Sequence, residues 1–392
     1  MNRSEITTPE GTRDRIYSQC TQRRAVERAV TELFLRRGYC EIMTPEVEYY
    51  DLFIRSGNPL PQESMLKIID RSGRIIVMRP DNTTPIARVA ATKLRNAPRP
   101  MRLFYNQTVF RSDESHRGRR SEIAQCGVEL LGAGGIRPDI EVIALAVQTL
   151  EEAGARDYQI ELGHAGFFRS LVAQLDTDEE TVESMRLYIE NKNFAALADR
   201  LEPFANNPAY PALRKLSALF GGAEVLDEAE RLSAGLASDC LDYLRRVFTE
   251  LSRAGYGDRV RFDLGMVHRL DYYSGVVFRG YVRGSGRVVL SGGRYDTLFD
   301  SFGLHMPATG FALDVDAITE SLPTPSPLKA PDAVLRPEAG MLRRALLIID
   351  SSPPGEYVLT SEETMDGTME EARRLGARRV VMLGESEEEI LL

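Results

Sequence analysis

The sequence has no tryptophan and only four cysteines, and none of its apolar runs approaches the length of a bilayer. A membrane-spanning helix needs about 20 consecutive apolar residues, so we expect no transmembrane segment. The cysteines lie far apart and form no CxxC pair, which argues against a zinc site and against a disulfide framework. The N-terminal residues MNRSEITTPEG lack the apolar core of a signal peptide. These absences predict a cytoplasmic protein without a bound metal or other cofactor.

Positive charge is also scarce, with 49 Lys and Arg against 58 Asp and Glu and a net charge of −9. A general nucleic-acid binder carries a basic footprint, so this balance argues against that class of protein. At 392 residues, 43% of them hydrophobic and 27% charged, the chain has an ordinary globular composition and is long enough for two or three domains.

Short apolar runs that predict strands dominate residues 1–164 and 257–320. Those of the first range are IIVM, QTVFR, EIAQCGVELLG and YQIELG, and VVFRGYVRGSGRVVL in the second predicts a hairpin turned at Gly284 to Gly286. An amphipathic helix is predicted between residues 16 and 38, and a buried helix in PDIEVIALAVQTLEEAG. Strands in hairpins with helices grouped apart predict an α+β fold with an antiparallel sheet.

The other three ranges differ in character. Residues 165–256 predict successive helices, and we interpret them as a helical insertion. Residues 321–340 contain five prolines and predict a semi-rigid linker. In residues 341–392, RALLIID, SEETMDGTMEEARRLGA and RRVVMLG predict strand, helix and strand, a small α/β module. Its acidic character makes this module a poor candidate for binding RNA.

The stretch SEIAQCGVELL at residues 121–131 combines an apolar face with a polar one. In a strand, alternate side chains point to opposite faces, so Cys126, Val128 and Leu130 face an apolar layer. Gln125 and Glu129 then share the other face with Gly127. An amide and a carboxylate on one face of a buried strand need polar partners, and the alternation alone does not identify them.

Four segments concentrate polar groups in apolar surroundings: MRPDNTTP, FRSDESHRGRRSEIAQCGVELLG, MVHRLDYYSGVVF and LSGGRYDTLFDSFG. In this order and spacing they resemble the catalytic core of histidyl-tRNA synthetase, which has a class II aminoacyl-tRNA synthetase fold. The resemblance runs from about residue 8 to about residue 318, interrupted by the helical insertion. GYCEIMTPEVEYYDLF at residues 38–53 resembles the first motif of that fold, which forms a dimer interface around a proline, here Pro45.

The resemblance implies a histidine pocket. Gln125 matches the family's contact to the α-ammonium of the ligand, and Glu129 matches the contact to its imidazole. Gly127 between them would leave room for the ligand. The full set of residues implied to bind histidine is Asp81, Thr83, Arg111, Gln125, Glu129, Tyr272 and Tyr273.

Each of the remaining matches implies a part of that pocket. Asp81 and Thr83 match positions that help hold the ammonium. Tyr272 and Tyr273 match paired tyrosines beside the ligand, one of which completes the imidazole contact. Arg111 is the arginine of the second motif.

The catalytic half of the family's site is altered. Adenylation needs fixed cations to stabilise the charge that develops on the α-phosphate of ATP. His268 stands where the family has an arginine, with Arg269 beside it in the place of a glycine. In the third motif Ala317 replaces an arginine and Asp314 a glycine. We therefore expect no catalytic residues and no adenylation or aminoacylation.

A histidine pocket without this chemistry resembles the regulatory subunit family of ATP phosphoribosyltransferase, the enzyme of the first step of histidine biosynthesis. The resemblance implies a hetero-oligomer with a short-form catalytic subunit, feedback inhibition with L-histidine as effector, and a homodimer through the first-motif region. It implies no tRNA and no membrane partner. The stoichiometry and the contact surface are left open, as is whether histidine binds the chain alone.

Other interpretations stand beside this one. Gln125 and Glu129 could pair with neighbouring strands, the two tyrosines could belong to a core, and Arg111 could be an ion-pair partner. Arg117, Arg119 and Arg120 could bind an anion or form a solvated charged loop. For the whole chain, the alternatives are an active histidyl-tRNA synthetase and a synthetase-like scaffold that binds no histidine.

Overall fold

The computed structural model describes residues 7–55, 61–112, 120–267, 272–323, 329–384 and 386–392. One compact unit falls within Met1–Arg15 and Cys20–Pro323, and a second within Ile16–Gln19 and Thr324–Leu392.

The strands of the described residues form three sheets. In chain order the strands are β1 (Cys40–Glu41), β2 (Val47–Tyr49), β3 (Lys67–Ile69), β4 (Ile75–Met78), β5 (Met101–Phe110), β6 (Glu122–Leu131), β7 (Tyr158–His164), β8 (Phe220–Gly221), β9 (Val260–Asp263), β10 (Val276–Val282), β11 (Val288–Arg294), β12 (Ala308–Asp314), β13 (Ala333–Pro337), β14 (Tyr357–Leu359), β15 (Arg379–Leu383) and β16 (Glu387–Leu391). The nine-stranded sheet has the order β1-β5-β6-β12-β11-β10-β7-β9-β8 and is antiparallel from β5 through β7. The others are β2-β4-β3 and β14-β13-β15-β16.

The α-helices occupy both units. In chain order they are α1 (Ser18–Arg36), α2 (Tyr50–Arg55), α3 (Thr83–Ala91), α4 (Ile136–Glu152), α5 (Ala165–Val172), α6 (Glu179–Glu190), α7 (Phe194–Leu201), α8 (Tyr210–Arg214), α9 (Glu224–Ser233), α10 (Ser238–Arg253), α11 (Val315–Ser321), α12 (Leu342–Asp350) and α13 (Met365–Leu375). The helices α5 to α10 lie in the range predicted as an insertion, together with β8, which pairs with β9.

The predicted α+β class is confirmed, as are the elements that frame the large sheet. The apolar spacing of α1 buries Val26, Val30, Leu33 and Phe34, and α4 is buried along most of its length, as its composition predicts. The hairpin of β10 and β11 turns through Gly284 and Gly286, which both have positive φ (91° and 64°), a conformation that glycine adopts without strain.

The C-terminal unit corrects the sequence analysis. RALLIID is helical, since it lies in α12, so the prediction of a strand there is wrong. Its Ala345, Ile348 and Ile349 face the core at helical spacing. The segment AVLRP, within the range predicted as linker, forms β13, which pairs with both β14 and β15. A run of five apolar residues is compatible with either a helix or a strand. The inner strand β13 of this sheet comes from the proline-rich range instead.

Candidate functional site

A cavity of about 940 Å³ lies against the large sheet of the first unit. Its walls come from β5, β6, β11 and β12, with α3 at one side and α6 of the helical range at another. All seven residues that the resemblance assigns to histidine binding line this cavity: Asp81, Thr83, Arg111, Gln125, Glu129, Tyr272 and Tyr273. Side chains more than 190 residues apart in the chain therefore converge on one space, whose size suits a small-molecule site.

The strand β6 supplies one wall of the cavity through its alternation. Cys126, Val128 and Leu130 are buried in the main apolar core, each at most 1% exposed. Gln125 and Glu129 point the other way and line the cavity. The two faces are thus divided as the alternation predicts.

The space above Gly127 is filled, so the expectation that this glycine leaves room for a ligand is wrong. Tyr105 on β5 pairs directly with Gly127. A Cβ at residue 127 would lie 2.4 Å from the hydroxyl oxygen of Tyr105 and 2.4 Å from the carbonyl oxygen of Phe311. The missing side chain admits the phenol of Tyr105, which itself becomes part of the cavity wall.

Glu129 is 2% exposed and holds two hydrogen bonds. Thr83 Oγ1 donates to its Oε1 at 2.8 Å, and the hydroxyl of Tyr295 donates to its Oε2. Gly310 makes room for this carboxyl, since a Cβ there would lie 2.1 Å from Oε2. Thr83 therefore lies at the Glu129 end of the cavity, whereas the resemblance assigns it to the ammonium.

Burial raises the pKa of Glu129 to about 8, against the opposing effect of the hydrogen bonds from Tyr295 and Thr83. At pH 7 this carboxyl is then mostly protonated. A neutral carboxyl donates and accepts, and an ionised one only accepts. Either form offers a partner to an imidazole nitrogen, because imidazole itself exists as neutral ring and as cation.

A second polar group lies at the N-terminus of α3. The carboxylate of Asp81 accepts a hydrogen bond from the backbone N–H of Thr84 at 2.7 Å. Beside it, Asn82 Nδ2 donates to Gln125 Oε1 at 3.3 Å. These three side chains place a negative charge and amide oxygens in one part of the cavity wall, which suits a ligand cation.

Three tyrosines besides Tyr105 line the cavity and pack against one another. The rings of Tyr272 and Tyr273 meet edge to face, with centroids 4.8 Å apart, and Tyr272 stacks with Tyr295 at 6.0 Å. Gly293 leaves room for the ring of Tyr273, because a Cβ there would lie 2.7 Å from Cε1. Burial raises the pKa of Tyr273 to about 12, so Tyr273 is a neutral phenol near neutral pH.

Arg111 follows β5, and its guanidinium faces the cavity. Its Nε donates to the carbonyl oxygen of Pro80 at 2.7 Å, and among the described residues its two terminal nitrogens have no hydrogen-bond partner. Burial lowers the pKa of Arg111, while nearby Asp81 opposes that shift. A fixed cation in the cavity wall suits an anionic part of a ligand.

The positions that depart from the synthetase pattern and the loop arginines that could bind an anion are described only in part. His268, Arg269, Arg117 and Arg119 lie outside the described residues. Asp314 is described, and it caps α11 by accepting from the N–H of Ala317 at 2.8 Å. Arg120 is paired with acidic side chains, being 3.4 Å from Asp316 and in contact with Glu320.

Several lining residues were missed by the sequence analysis. Tyr295 lies in GGRYD and Asn82 in RPDNT, so the motifs contained them without indicating their roles. Arg186 on α6 is buried between two carboxylates, at 2.8 Å from Glu183 and 2.7 Å from Glu190. No local signal places α6 against the cavity, because its position depends on tertiary packing.

The described part of the chain contains no group of three or more His, Cys, Asp or Glu side chains placed to hold a metal ion. None of the described helices is long and apolar enough to cross a membrane.

Comparison with known proteins places this chain in a family. The sequence profile of the histidyl-tRNA synthetase family matches residues 11–318. An ATP phosphoribosyltransferase regulatory subunit of Clostridium kluyveri is 42% identical over 81% of this chain and 82% of its own length. One of Clostridium novyi is 34% identical over 99% and 94%, respectively.

A solved structure extends the likeness to the fold. The crystal structure of an ATP phosphoribosyltransferase regulatory subunit/histidyl-tRNA synthetase from Bacillus halodurans matches with a TM-score of 0.84 and 28% identity. The match covers 97% of this chain and 99% of the other. It includes the C-terminal unit as well as the large sheet.

Proposed function

The chain belongs to the ATP phosphoribosyltransferase regulatory subunit family, which has a histidyl-tRNA synthetase-like fold, and on that premise we propose its function. It is a non-catalytic regulatory subunit that assembles with a short-form catalytic subunit of ATP phosphoribosyltransferase. In that complex it supports the first step of histidine biosynthesis and transmits feedback inhibition by L-histidine.

The observation that carries the effector assignment is the buried Glu129, held by Thr83 and Tyr295 at one end of the cavity. L-Histidine brings an imidazole, an ammonium and a carboxylate. Glu129 with the tyrosines suits the imidazole, Asp81 with Gln125 suits the ammonium, and Arg111 suits the carboxylate. A histidine that binds the low-activity assembly more tightly than the active one shifts the complex toward inhibition.

Loss of adenylation is the second part of the proposal. Ala317 stands in the first turn of α11 without a charge, and Asp314 at its cap brings a carboxylate. Of the other arginines that line the cavity, Arg186 is already paired with two glutamates. These features disfavour the binding of a triphosphate and argue against the alternative of an active synthetase. Histidine-dependent exchange of pyrophosphate into ATP would contradict this part of the proposal.

The experiment that tests the regulatory role uses the reconstituted complex. The chain is mixed with a short-form catalytic subunit, and formation of phosphoribosyl-ATP is followed with and without L-histidine. We expect the chain to raise the activity of the catalytic subunit and histidine to inhibit the complex. Glu129→Ala should remove that inhibition, since it deletes the imidazole partner.

The matched control is Glu122→Ala, which removes the same side chain from the same strand β6 but outside the cavity. This variant should remain sensitive to histidine. Equal inhibition of the Glu129→Ala complex and the unchanged complex would favour a scaffold that binds histidine elsewhere or not at all. An unchanged rate on adding this chain would contradict the regulatory role itself.

A further inference from the structure

Asn82 is a buried cavity residue with an unused acceptor. It is 1% exposed, and its Oδ1 has no hydrogen-bond partner among the described residues. Its other amide atom, Nδ2, donates to Gln125 Oε1 at 3.3 Å. A buried acceptor without a partner is destabilising, so side chains of this kind are usually matched to a donor.

The position of Asn82 makes this unused acceptor unexpected. It is the residue immediately before α3, where asparagine normally caps the helix through its side chain. Here Asn82 makes no such bond. Asp81 caps the helix instead, since its Oδ1 accepts from the N–H of Thr84 at 2.7 Å. The amide of Asn82 is thereby released from helix capping and lies along the cavity wall beside Gln125.

Three residues that carry acceptor oxygens therefore lie together in the cavity wall: Asp81, Asn82 and Gln125. A primary ammonium group has three N–H donors. The negative charge of Asp81 complements that cation, and Asn82 Oδ1 is the acceptor in this group that has no partner among the described residues.

We propose that Asn82 is a ligand-binding residue whose Oδ1 accepts a hydrogen bond from the α-ammonium of the effector. The site then takes a free α-amino acid with a primary ammonium and discriminates against imidazole compounds that lack one. This inference rests on the proposed binding of histidine in the cavity and adds to it a selectivity for the amino group.

The test is a calorimetric titration of the full chain with two ligands, L-histidine and its deamino analogue 3-(imidazol-4-yl)propionate. Asn82→Ala should weaken histidine binding by about tenfold or more, the loss expected for a hydrogen bond to a charged group. The same variant should change binding of the analogue by less than about twofold, because the analogue has no donor for Asn82 to accept from.

A conservative variant provides a second measurement. Asn82→Asp keeps an acceptor at the same position, so it should retain most of the affinity for histidine. The control is Asn193→Ala, which removes an asparagine that does cap its helix, accepting from Ala196 N at 3.2 Å, and that is not among the residues lining the cavity. The control should lower the melting temperature and leave the affinity unchanged.

The outcomes separate this inference from the proposed function. If the unchanged chain does not bind histidine, the proposed function fails. If it binds and Asn82→Ala has no effect, or weakens both ligands equally, Asn82 only shapes the pocket and the inference is wrong. Should the analogue bind too weakly to measure, Asn82→Asp decides: recovered affinity supports the inference and lost affinity overturns it.

Discussion

At the scale of single residues, the cavity is dominated by a carboxyl group that the fold keeps out of water. Glu129 is held by Thr83 and Tyr295, and glycine at residue 310 leaves the space that its carboxyl occupies. Burial raises its pKa from 4.5 to about 8. An ionised carboxylate is costly to bury, so this residue is maintained at the expense of stability, as is common at binding sites.

The raised pKa of Glu129 makes the free energy of unfolding depend on pH. In the unfolded chain the carboxyl has a pKa near 4.5, and in the folded chain about 8. Between these values the unfolded chain releases the proton first, so stability is complete below the lower pKa and is lost as pH rises toward the higher one. The loss from this group is at most about 1.4 kcal/mol per pH unit.

The variant Glu129→Gln removes that titration and should therefore lose less stability than the unchanged chain between pH 5 and pH 8. Urea denaturation at several pH values measures the difference. Glu122→Gln, outside the cavity on the same strand, should follow the unchanged chain. If the free energy of unfolding changes with pH in the same way for Glu129→Gln and for the unchanged chain, Glu129 titrates normally.

At the scale of elements, local patterns predicted the walls of the cavity that come from single strands and turns. The alternation of β6 predicts that Gln125 and Glu129 share the polar face, because strand geometry fixes which residues share a face. That Asp81, Tyr272 and Tyr273 join them in one cavity followed from resemblance to a family, since no local rule brings α3 to β6.

Features that depend on the partners of an element were not predictable in the same way. The space over Gly127 belongs to Tyr105 because of the register between β5 and β6, which the sequence of β6 alone does not contain. The exchange of capping roles between Asp81 and Asn82 needed the observed hydrogen bonds. RALLIID was predicted to be a strand, but it lies in the helix α12. The strand that the prediction missed, β13, lies in the range that was predicted to be a proline-rich linker.

At the scale of the whole molecule, the small sheet β2-β4-β3 presents an apolar face. Val77 on its other face is fully buried with Phe53 and Met65. The face opposite Val77 carries Val47, Tyr49 and Ile68, which are 44%, 44% and 47% exposed. This sheet includes the first-motif segment, so we propose that this face is the homodimer interface, where its apolar area would be covered.

Replacement of Ile68 by lysine should weaken that dimer, because a charge would be buried in the interface. Sedimentation equilibrium across a range of concentrations measures the effect, with a lower average mass expected for Ile68→Lys. The control is Phe220→Lys, at an equally exposed apolar position on β8, the far edge of the large sheet. If the average mass of Ile68→Lys equals that of the unchanged chain, the dimer interface does not include this face.

The most direct measurement of the central claim is a calorimetric titration of L-histidine into the purified chain, repeated with Glu129→Ala and Glu122→Ala. We predict saturable binding to the unchanged chain and to Glu122→Ala, and loss of binding in Glu129→Ala. Histidine at 100 times its Kd should also stabilise the unchanged chain by about 2.7 kcal/mol. Binding that survives in Glu129→Ala, or no saturable binding to the unchanged chain, would contradict a histidine sensor built around this cavity.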